Sequence, residues 1–367
     1  MRTRDYYFKR EATVADSDTV VINIDIKDPI SFIKVEYEAT NGGTSCIDHE
    51  LHDDVDKIEL VDGSDVLFSM SMAEAIALNF FELSKLPHQS LSENLSVVQE
   101  ESCYIHFGRF QNDPEYYFNP TAWKNPQLRI THTLDISATA GFATGTGKIT
   151  VMARIIEEGA LPYKGFLMSK NKYSWTSGTS GDEPIDMPRD HPYRMMLVKA
   201  LLTTYRPDEV LSKHKLSCDA DKFVPFEMYT EDVMDQNEKQ FGLAQQCKNL
   251  LTADDGTALL DLYDIRKASI RCNYDDQIAT IEGVDAEQVS VGLYNMATVT
   301  SPALQTTARV CPVAVEGIAP FGCIVFPFGE LNNPESWFDA PSFSDIKLYC
   351  TQAVAGACAI LLQQLRV

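Results

Sequence analysis

The order of extended and helical segments repeats along the chain. Two extended segments run into a helical pattern in each half, and the second set follows the first at an offset of 156 residues: 57–60 and 65–68, then 213–216 and 221–224. Each helical pattern carries a glutamate near its start and an asparagine further on, Glu74 and Asn79 in the first half and Glu231 and Asn237 in the second. A repeat of this length with a preserved order of features predicts a tandem duplication.

Short strand-like segments dominate both halves. Residues 19–26 alternate apolar and polar side chains with the period of two that is typical of a half-buried strand. The turn at Asp62-Gly63-Ser64 lies between two such segments and indicates a hairpin, since glycine accepts positive φ angles. Ser71 and Glu74 have the spacing of a capping box at the start of a helix. Many strands with few helices predict an all-β sandwich or barrel class.

The length and charge of the chain limit its architecture and partners. The 367 residues exceed the roughly 250–300 at which a single hydrophobic core stops growing, so we expect two domains. The chain has 31 Lys+Arg against 53 Asp+Glu, a formal charge of 31 − 53 = −22. A surface this acidic repels a phosphate backbone, so we expect no direct nucleic-acid binding. The nine cysteines include no C-x-x-C pair and favour folding in a reducing compartment.

The longest apolar run is short. Residues 353–362 form ten consecutive apolar positions, whereas a membrane-spanning helix needs about 20. The start of the chain has no apolar stretch of a secretory signal behind its basic residues. We therefore expect a soluble chain in which Leu361 lies in a core element, and we expect the charge in Leu361→Asp to prevent folding.

The domain boundaries can be predicted from composition. A Gly/Ser/Thr-rich break covers residues 174–184, and we place the boundary near it. The prediction divides the chain into four segments: an N-terminal basic arm at 1–14, a first sandwich domain at 15–160, a linker at 161–184 and a second sandwich domain at 185–367.

One charged segment has the residue types of a metal site. Cys46, His49 and His52 are spaced by three residues, with Asp53 beside them. Thiolate, imidazole and carboxylate are the groups that bind zinc. The segment follows a Gly-Gly turn and has no second ligand pair at structural-zinc spacing, so a solvated loop is the favoured interpretation. His49, His52 and Asp53 remain the weak metal candidates.

The sequence indicates no catalytic residues and no cofactor. The glycine-rich stretch 141–148 has Phe142 and Ile149 where a phosphate-binding loop needs Gly and Ser or Thr. No serine lies in a G-x-S-x-G sequence. Adjacent carboxylates such as Glu157 and Glu158 point to opposite faces of a strand, so they do not form the facing pair of a glycosidase. We predict that the protein is not an enzyme.

The first residues form the one basic, aromatic region of this acidic chain. Its cationic members are Arg2, Arg4, Lys9 and Arg10, around Tyr6, Tyr7 and Phe8. One interpretation is an ordinary frayed terminus. The other is an arm whose four basic residues contact a neighbouring subunit or an anionic membrane, and in that case deletion of residues 1–12 would leave subunits intact and impair assembly.

Two β units in tandem, each with a helix after a Lys-x-x-Leu stretch and an extended segment that begins with Asp, resemble the double jelly-roll major capsid proteins of tailless icosahedral viruses. That lineage includes tectivirus-like phages and adenovirus hexon. The stretches that carry the likeness are 47–75, 185–209 and 344–367. The resemblance implies an all-β fold of two tandem jelly-roll sandwiches with short helices in the loops.

The resemblance also implies a function and partners. Members of this lineage are virion proteins that form pseudo-hexagonal homotrimers, assemble in the host cytoplasm and tile an icosahedral shell. The implied partners are neighbouring capsomers, penton and minor capsid proteins, and an internal lipid membrane. Two alternatives stay open, since jelly rolls also occur in other classes of protein: a carbohydrate-binding or glycoside-hydrolysing protein, and a phage spike or accessory structural protein.

Overall fold

A computed structural model of the chain describes residues 1–47, 49–252, 255–272, 277–295, 303–304 and 307–367. Strands make up 56% of the residues and helices 12%. The all-β prediction is therefore confirmed. Among the described residues, no helix is both long enough and apolar enough to cross a membrane.

The first half of the chain contains nine strands and two helices. In chain order these are β1 (Arg2–Thr13), β2 (Ser17–Asn23), β3 (Ile30–Thr40), α1 (Leu51–Asp54), β4 (Lys57–Asp62), β5 (Asp65–Met70), α2 (Met72–Leu83), β6 (Gln89–Ser92), β7 (Val98–His106), β8 (Pro126–Thr133) and β9 (Lys148–Glu158). A short 3₁₀ turn, Pro120–Ala122, lies between β7 and β8.

The second half begins with five strands and two helices: β10 (Phe166–Thr176), β11 (Asp182–Asp186), β12 (Tyr193–Leu201), α3 (Pro207–Val210), β13 (Leu211–Cys218), β14 (Phe223–Tyr229) and α4 (Thr230–Phe241). In the described part of the chain, the strands after α4 are β15 (Ala244–Thr252), β16 (Asp255–Leu259), β17 (Leu262–Ile270), β18 (Gln277–Asp285), β19 (Gln288–Asn295), β20 (Ala303–Leu304) and β21 (Arg309–Pro320). The chain ends with β22 (Cys323–Pro327), β23 (Ile346–Gln352) and β24 (Ala357–Arg366).

Both halves arrange eight strands in the same order. In the first half, the sheet orders are β1-β9-β3-β7 and β2-β8-β4-β5. In the second half they are β10-β24-β12-β22 and β11-β23-β13-β14. We can number the eight strands of each half in chain order, without β6 in the first half and without β15–β21 in the second. With these numbers, the two sheets of each half have the strand orders 1-8-3-6 and 2-7-4-5. This is the two-sheet, eight-stranded jelly-roll arrangement.

The two jelly rolls are joined edge to edge by parallel strand pairs. Strand β5 of the first pairs with β10 of the second, with Phe68 opposite Ser169. Strand β6 pairs with β15, with Leu91 opposite Lys248. Each pairing makes one continuous eight-stranded sheet that contains strands of both halves. The relative position of the two jelly rolls is therefore fixed by backbone hydrogen bonds.

Two local predictions from the sequence are confirmed. Strands β4 and β5 pair with Asp62 opposite Asp65, and Gly63 between them has a φ of 62°. The Oγ of Ser71 accepts a hydrogen bond from the backbone N–H of Glu74 at 3.2 Å. The Glu74 carboxylate accepts one from the Ser71 N–H at 3.2 Å, which completes the capping box at the start of α2.

Most of the segment 1–14, predicted to be an N-terminal arm, is a strand in the structure. Residues Arg2–Thr13 form β1, the first strand of the first jelly roll, and pair along their length with β9. Phe8 and Ala12 pack against the hydrophobic core. The basic residues made this strand hard to recognise from the sequence. An edge strand leaves one face and one edge in water, where charged side chains are tolerated.

The segment 161–184 does not act as a linker throughout its length. It contains β10, which pairs with β24 over ten residues, and the start of β11. Its glycine- and serine-rich part is the connection between these two strands. We propose that the first unit ends after β9 and that the second begins at Phe166, rather than at 185.

The apolar side chains of the sheets form two large cores. The first includes residues of both halves, such as Ile33 in β3 and Leu361 in β24, both fully buried. The second lies within the second jelly roll and includes Leu216 and Ile360. Because successive residues of a strand point to opposite faces, β24 contributes Ile360 to one core and Leu361 to the other.

Candidate functional site

A buried cluster of charged side chains lies where β6 and β15 join the two halves. We call it the junction cluster, and its members are Glu50, His52, Glu93, Glu101, Lys248 and Asp261. The first four belong to the first half, at α1, β6 and β7, and the last two to the second half, on β15 and just before β17. Every member except Asp261 is at least nine-tenths buried as a whole residue.

Lys248 is the cation on one side of the cluster. Its Nζ lies 2.6 Å from Glu50 Oε1 and 3.4 Å from Glu93 Oε1. Burial alone would lower the pKa of the ammonium, but the attraction of Glu50 and Glu93 outweighs it and raises this pKa. Lys248 is therefore charged, and it ties a strand of the second half to carboxylates of the first.

The imidazole of His52 occupies the other side. Its Nδ1 lies 3.2 Å from both carboxylate oxygens of Glu101. Its Nε2 points the opposite way, 3.4 Å from Asp261 Oδ1 and 3.7 Å from Asp53 Oδ1. The ring packs edge-on against Phe321, with a centroid distance of 4.8 Å. Burial opposes protonation of His52, and the nearby Asp261 and Glu101 carboxylates raise its pKa well above the usual value.

Two glutamines hold the acidic partners of His52 in place. Gln89 Nε2 donates to Glu101 Oε2 at 3.0 Å. Gln246 Nε2 donates to Asp261 Oδ2 at 2.5 Å, and the Asp261 N–H donates to Gln246 Oε1 at 2.8 Å. Because both glutamines are themselves linked at 3.3 Å, the carboxylates on the two sides of the imidazole form one hydrogen-bonded network.

Glu50 has one oxygen without a partner. Its Oε1 accepts a hydrogen bond from Lys248, but its buried Oε2 accepts none. Burial and the charge of Asp261 raise the pKa of Glu50. A cavity of about 230 Å³ adjoins this part of the cluster, and Glu50, His52, Asp53 and Asp261 are among its lining residues. Buried polar atoms are normally paired, so this oxygen calls for an explanation.

The structure brings together some of the sequence-predicted metal candidates. One ligand atom each from Glu50, His52 and Asp261 lies within 4.8 Å of the others. Asp53 approaches His52, although its side chain is 75% exposed. His49 does not join them, because its Nδ1 lies 2.9 Å from Asp135.

Most members of the junction cluster were not predicted from the sequence. Glu50 stands in the same charged segment as His52, and its spacing of two residues was a usable signal. No sequence pattern near Asp261 or Lys248 indicates the cluster. Both residues are distant from His52 in the sequence, and only the folding of the strands that follow α4 brings them close to it. The buried thiol of Cys46 donates to the His49 carbonyl at 3.5 Å and is not part of the cluster.

Comparison with known proteins identifies the architecture. No family model and no curated protein matches this sequence. Solved structures do match over the full chain. The major capsid protein described as the STIV MCP aligns with a TM-score of 0.60 at 10% identity, covering 100% of this chain and 96% of that one. The chain has the double jelly-roll fold.

Two other solved structures share this double jelly roll. The capsid of the virus PBCV-1 aligns with a TM-score of 0.57 at 11% identity, covering 99% of this chain and 93% of that one. The major capsid protein of bacteriophage PM2 aligns with a TM-score of 0.55 at 8% identity, covering 100% and 98%. The predicted fold class and the resemblance behind it are confirmed at the level of fold.

Two of the basic residues predicted to contact a neighbour or a membrane are paired within the first jelly roll. Arg2 Nε lies 2.8 Å from one carboxylate oxygen of Glu157, and Arg4 Nε lies 2.7 Å from the other. Arg4 also stacks over Tyr6, 5.9 Å from the ring centroid. These two arginines therefore fasten β1 to β9 of the double jelly roll.

The other two basic residues face different surroundings. Arg10 is 71% exposed at its side chain, lies 3.6 Å from Glu11 and stands over the ring of Tyr7. Lys9 is half-buried beside it in β1, where its backbone pairs with Val151. Of the four predicted contact residues, Arg10 is the most accessible to a partner.

A second buried cation joins the two jelly rolls. Arg194 on β12 is 1% exposed. It donates to Gln363 Oε1 at 2.6 Å, to the Leu331 carbonyl at 2.9 Å and to the Arg109 carbonyl, in the first half, at 3.1 Å. Burial lowers the pKa of the guanidinium to about 10, which leaves it charged at neutral pH. Its planar fork of donors satisfies acceptors from both halves.

Proposed function

We propose that this protein is a viral major capsid protein whose homotrimers form pseudo-hexagonal capsomers that tile an icosahedral shell. The observation that carries the proposal is the repetition of one eight-strand order in both halves of the chain. It is supported by the full-length likeness to capsid proteins of several viruses, at TM-scores of 0.55–0.60.

A tandem pair of similar sandwiches suits a hexagonal tile. Six equivalent positions around an axis can be filled by three chains, if each chain supplies two modules of the same shape. The parallel pairs β5–β10 and β6–β15 hold the two modules at a constant relative position. A subunit of fixed shape loses less conformational entropy when it packs into a shell, which favours assembly.

The proposed role is structural rather than catalytic, and the proposed location is the virion. Many weak contacts between capsomers can together give a stable shell, because each further contact forms while earlier contacts already hold the subunit in place. The formal charge of −22 favours solubility of the free subunit before assembly. The proposed partners are further trimers, penton and minor capsid proteins.

We place one contact with a neighbouring capsomer or an internal lipid membrane at the outer side of β1. The strand pairs only with β9 among the described strands. Tyr7 is 51% exposed on it, and the exposed Arg10 lies beside Tyr7. An aromatic ring next to an arginine suits an acidic protein surface, and it equally suits anionic headgroups.

Light scattering coupled to size exclusion tests the proposal directly. We expect particles of three chains, each of 41.0 kDa, and pseudo-hexagonal rings by negative-stain electron microscopy. A monomer that binds oligosaccharides in calorimetry would overturn the proposal in favour of a carbohydrate-binding protein. Trimers that form neither flat arrays nor closed shells under any assembly condition would instead indicate a spike or accessory protein.

Flotation with vesicles separates the two partners proposed for β1. Vesicles containing phosphatidylserine should carry the wild-type protein upward if the contact is with lipid, and Arg10→Glu should abolish this. If the contact is with a neighbouring capsomer, flotation fails and Arg10→Glu reduces the yield of arrays or shells. The matched control is Lys222→Glu, a charge reversal of another exposed residue that lies outside β1.

A further inference from the structure

We propose that the junction cluster is a binding site for a divalent transition-metal ion of the zinc class, with His52, Glu50 and Asp261 as its ligands. Two of these residues come from the first jelly roll and one from the segment inserted into the second. The ion would bind between the two halves of one chain. This inference does not depend on the proposed capsid function.

The spacing of the side-chain atoms suits such an ion. Ligands at about 2.0–2.2 Å from a tetrahedral zinc lie about 3.3–3.6 Å from one another. His52 Nε2 and Asp261 Oδ1 are already 3.4 Å apart, and all three ligand atoms fall within 4.8 Å. Asp53 Oδ1, at 3.7 Å from the same nitrogen, can supply a fourth ligand. Side-chain rotations that bring Glu50 and Asp53 toward Nε2 would close the site.

The surroundings of His52 match those of a metal-binding histidine. Such a residue almost always donates its second ring N–H to a carboxylate, which fixes the tautomer that leaves the other nitrogen free to bind. Nδ1 of His52 faces both oxygens of Glu101 at 3.2 Å, and Glu101 is fully buried. Nε2 is thereby directed at Asp261 and the adjoining cavity.

The unpaired oxygen of Glu50 is an independent indication of a missing partner. Glu50 is 8% exposed, and its Oε1 accepts a hydrogen bond from Lys248. Its Oε2 lies 3.7 Å from His52 Nδ1 and accepts no hydrogen bond. A buried carboxylate oxygen without a partner costs free energy, and coordination of a cation removes that cost.

The charges of the cluster also favour a bound cation. Four carboxylates (Glu50, Glu93, Glu101 and Asp261) surround one ammonium, that of Lys248, and one imidazole, that of His52. The carboxylates outnumber the basic groups, and a divalent ion reduces this excess of negative charge. Buried charges are stable only when paired or bound to a metal, so a cation at this position relieves a real cost.

The ligand set selects the class of ion. Imidazole nitrogen favours zinc and its transition-metal neighbours, whereas calcium and magnesium prefer sites built from oxygen alone. Because the site exists only when both halves are folded and joined, the bound ion would stabilise the folded chain by an amount that rises with the logarithm of its free concentration above the Kd. The predicted role is a clamp between the two jelly rolls.

The experiment uses the full chain after removal of metals with a chelator. Titration calorimetry with Zn²⁺ should show one site per chain, and the Tm should rise with Zn²⁺ concentration. His52→Gln and Asp261→Asn should each weaken binding at least 100-fold, and Glu101→Gln about 10- to 100-fold. His88→Gln, at a histidine that is 57% exposed and outside the cluster, is the matched control and should bind like wild type.

Three outcomes would overturn the proposal. These are the absence of a stoichiometric Zn²⁺ site in the wild type, binding that survives His52→Gln and Asp261→Asn, and an equal affinity for Ca²⁺ or Mg²⁺. If these variants fail to fold, anomalous scattering at the zinc edge from wild-type crystals decides the question. Density between Glu50, His52 and Asp261 supports the site, whereas zinc found only at His49 and Asp135 refutes it. Trimer formation is scored separately, so failure here leaves the proposed function untouched.

Discussion

Asn79 and Asn237 make the same pair of hydrogen bonds at equivalent places in the two jelly rolls. Asn79 on α2 donates to the carbonyl of Tyr104 at 2.7 Å and accepts from the N–H of the same residue at 2.7 Å. Asn237 on α4 does both with Val325, at 2.8 Å each. In each half, the side chain fastens the helix after the fifth strand to the backbone of the sixth strand.

Replacement of either asparagine by alanine should destabilise the fold. Asn79→Ala leaves a buried backbone N–H and C=O without partners, so we expect the free energy of unfolding to fall by about 2–4 kcal/mol. Asn237→Ala should have a similar effect. Urea denaturation followed by circular dichroism measures it. The control is Asn23→Ala on the exposed side of β2, where a change above about 0.5 kcal/mol would undermine the comparison.

Deletion of β1 should abolish folding of the first jelly roll, contrary to the sequence-based expectation of a dispensable arm. Removal of residues 2–13 exposes the edge of β9 and uncovers the core contacts of Phe8 and Ala12. We expect insoluble or protease-sensitive protein, measured by limited proteolysis. As a control, the double substitution Arg2→Ala with Arg4→Ala removes only exposed ion pairs and should cost about 1–2 kcal/mol at most. A well-folded deletion product would contradict the role of β1.

A charge at Leu361 should prevent folding. This side chain is fully buried in β24, opposite Leu197 of β12 and Asn171 of β10. Leu361→Asp places a carboxylate in the apolar core, and we expect a loss of more than about 4 kcal/mol. Soluble yield and Tm are the measurements. Leu95→Asp, at a position that is 48% exposed, should leave both nearly unchanged, and an unaltered Tm for Leu361→Asp would contradict the assignment.

His214 should make the protein less stable as the pH falls below about 6.5. Burial lowers the pKa of its imidazole in the folded protein to about 3, from an ordinary 6.5. The unfolded chain therefore takes up a proton between these values while the folded chain does not, which favours unfolding. From this residue alone, we expect about 2 kcal/mol less stability at pH 5 than at pH 8.

The measurement is the pH dependence of the unfolding free energy in wild type and in His214→Leu. His214 is fully buried against Phe326, with a ring-centroid distance of 5.4 Å, so leucine can replace it without a new polar group. The variant should lose less stability between pH 8 and pH 5 than wild type does. His88→Leu, at an exposed histidine, should show the wild-type slope. Equal slopes for wild type and His214→Leu would rule out this contribution.

The repeat could be predicted from the sequence because both halves contain the same order of strand-like and helical patterns. The capping box at Ser71 and the hairpin at Gly63 depend on neighbouring residues only, and the structure has both. The motif Asn-Pro-x-x-Trp, at 119–123 and again at 333–337, is a stronger indication of the repeat. In both places the asparagine caps a 3₁₀ turn, Pro120–Ala122 in the first half and Pro334–Ser336 in the second, which precedes the seventh strand.

The boundaries of the jelly rolls were harder to predict. The strand β1 carries basic residues with no clear alternation, and the segment that became β10 contains Lys170 and Lys172. Edge and junction strands are held by backbone pairing rather than by an apolar stripe, so their sequences lack the usual pattern. The insertion of β15–β21 also lengthens the second repeat, which obscures a constant offset.

The sequence by itself determined the hairpin at Gly63 and the cap at Ser71, because these follow from spacing within a few residues. It also determined the class of fold and the repeat, because such local patterns recur in the same order in both halves. Only the tertiary structure decided the junction cluster. His52 meets Asp261 and Glu50 meets Lys248 because the parallel pairing of β6 with β15 brings distant segments together. Such contacts depend on the order of strands in a sheet, and no local pattern of side chains records that order.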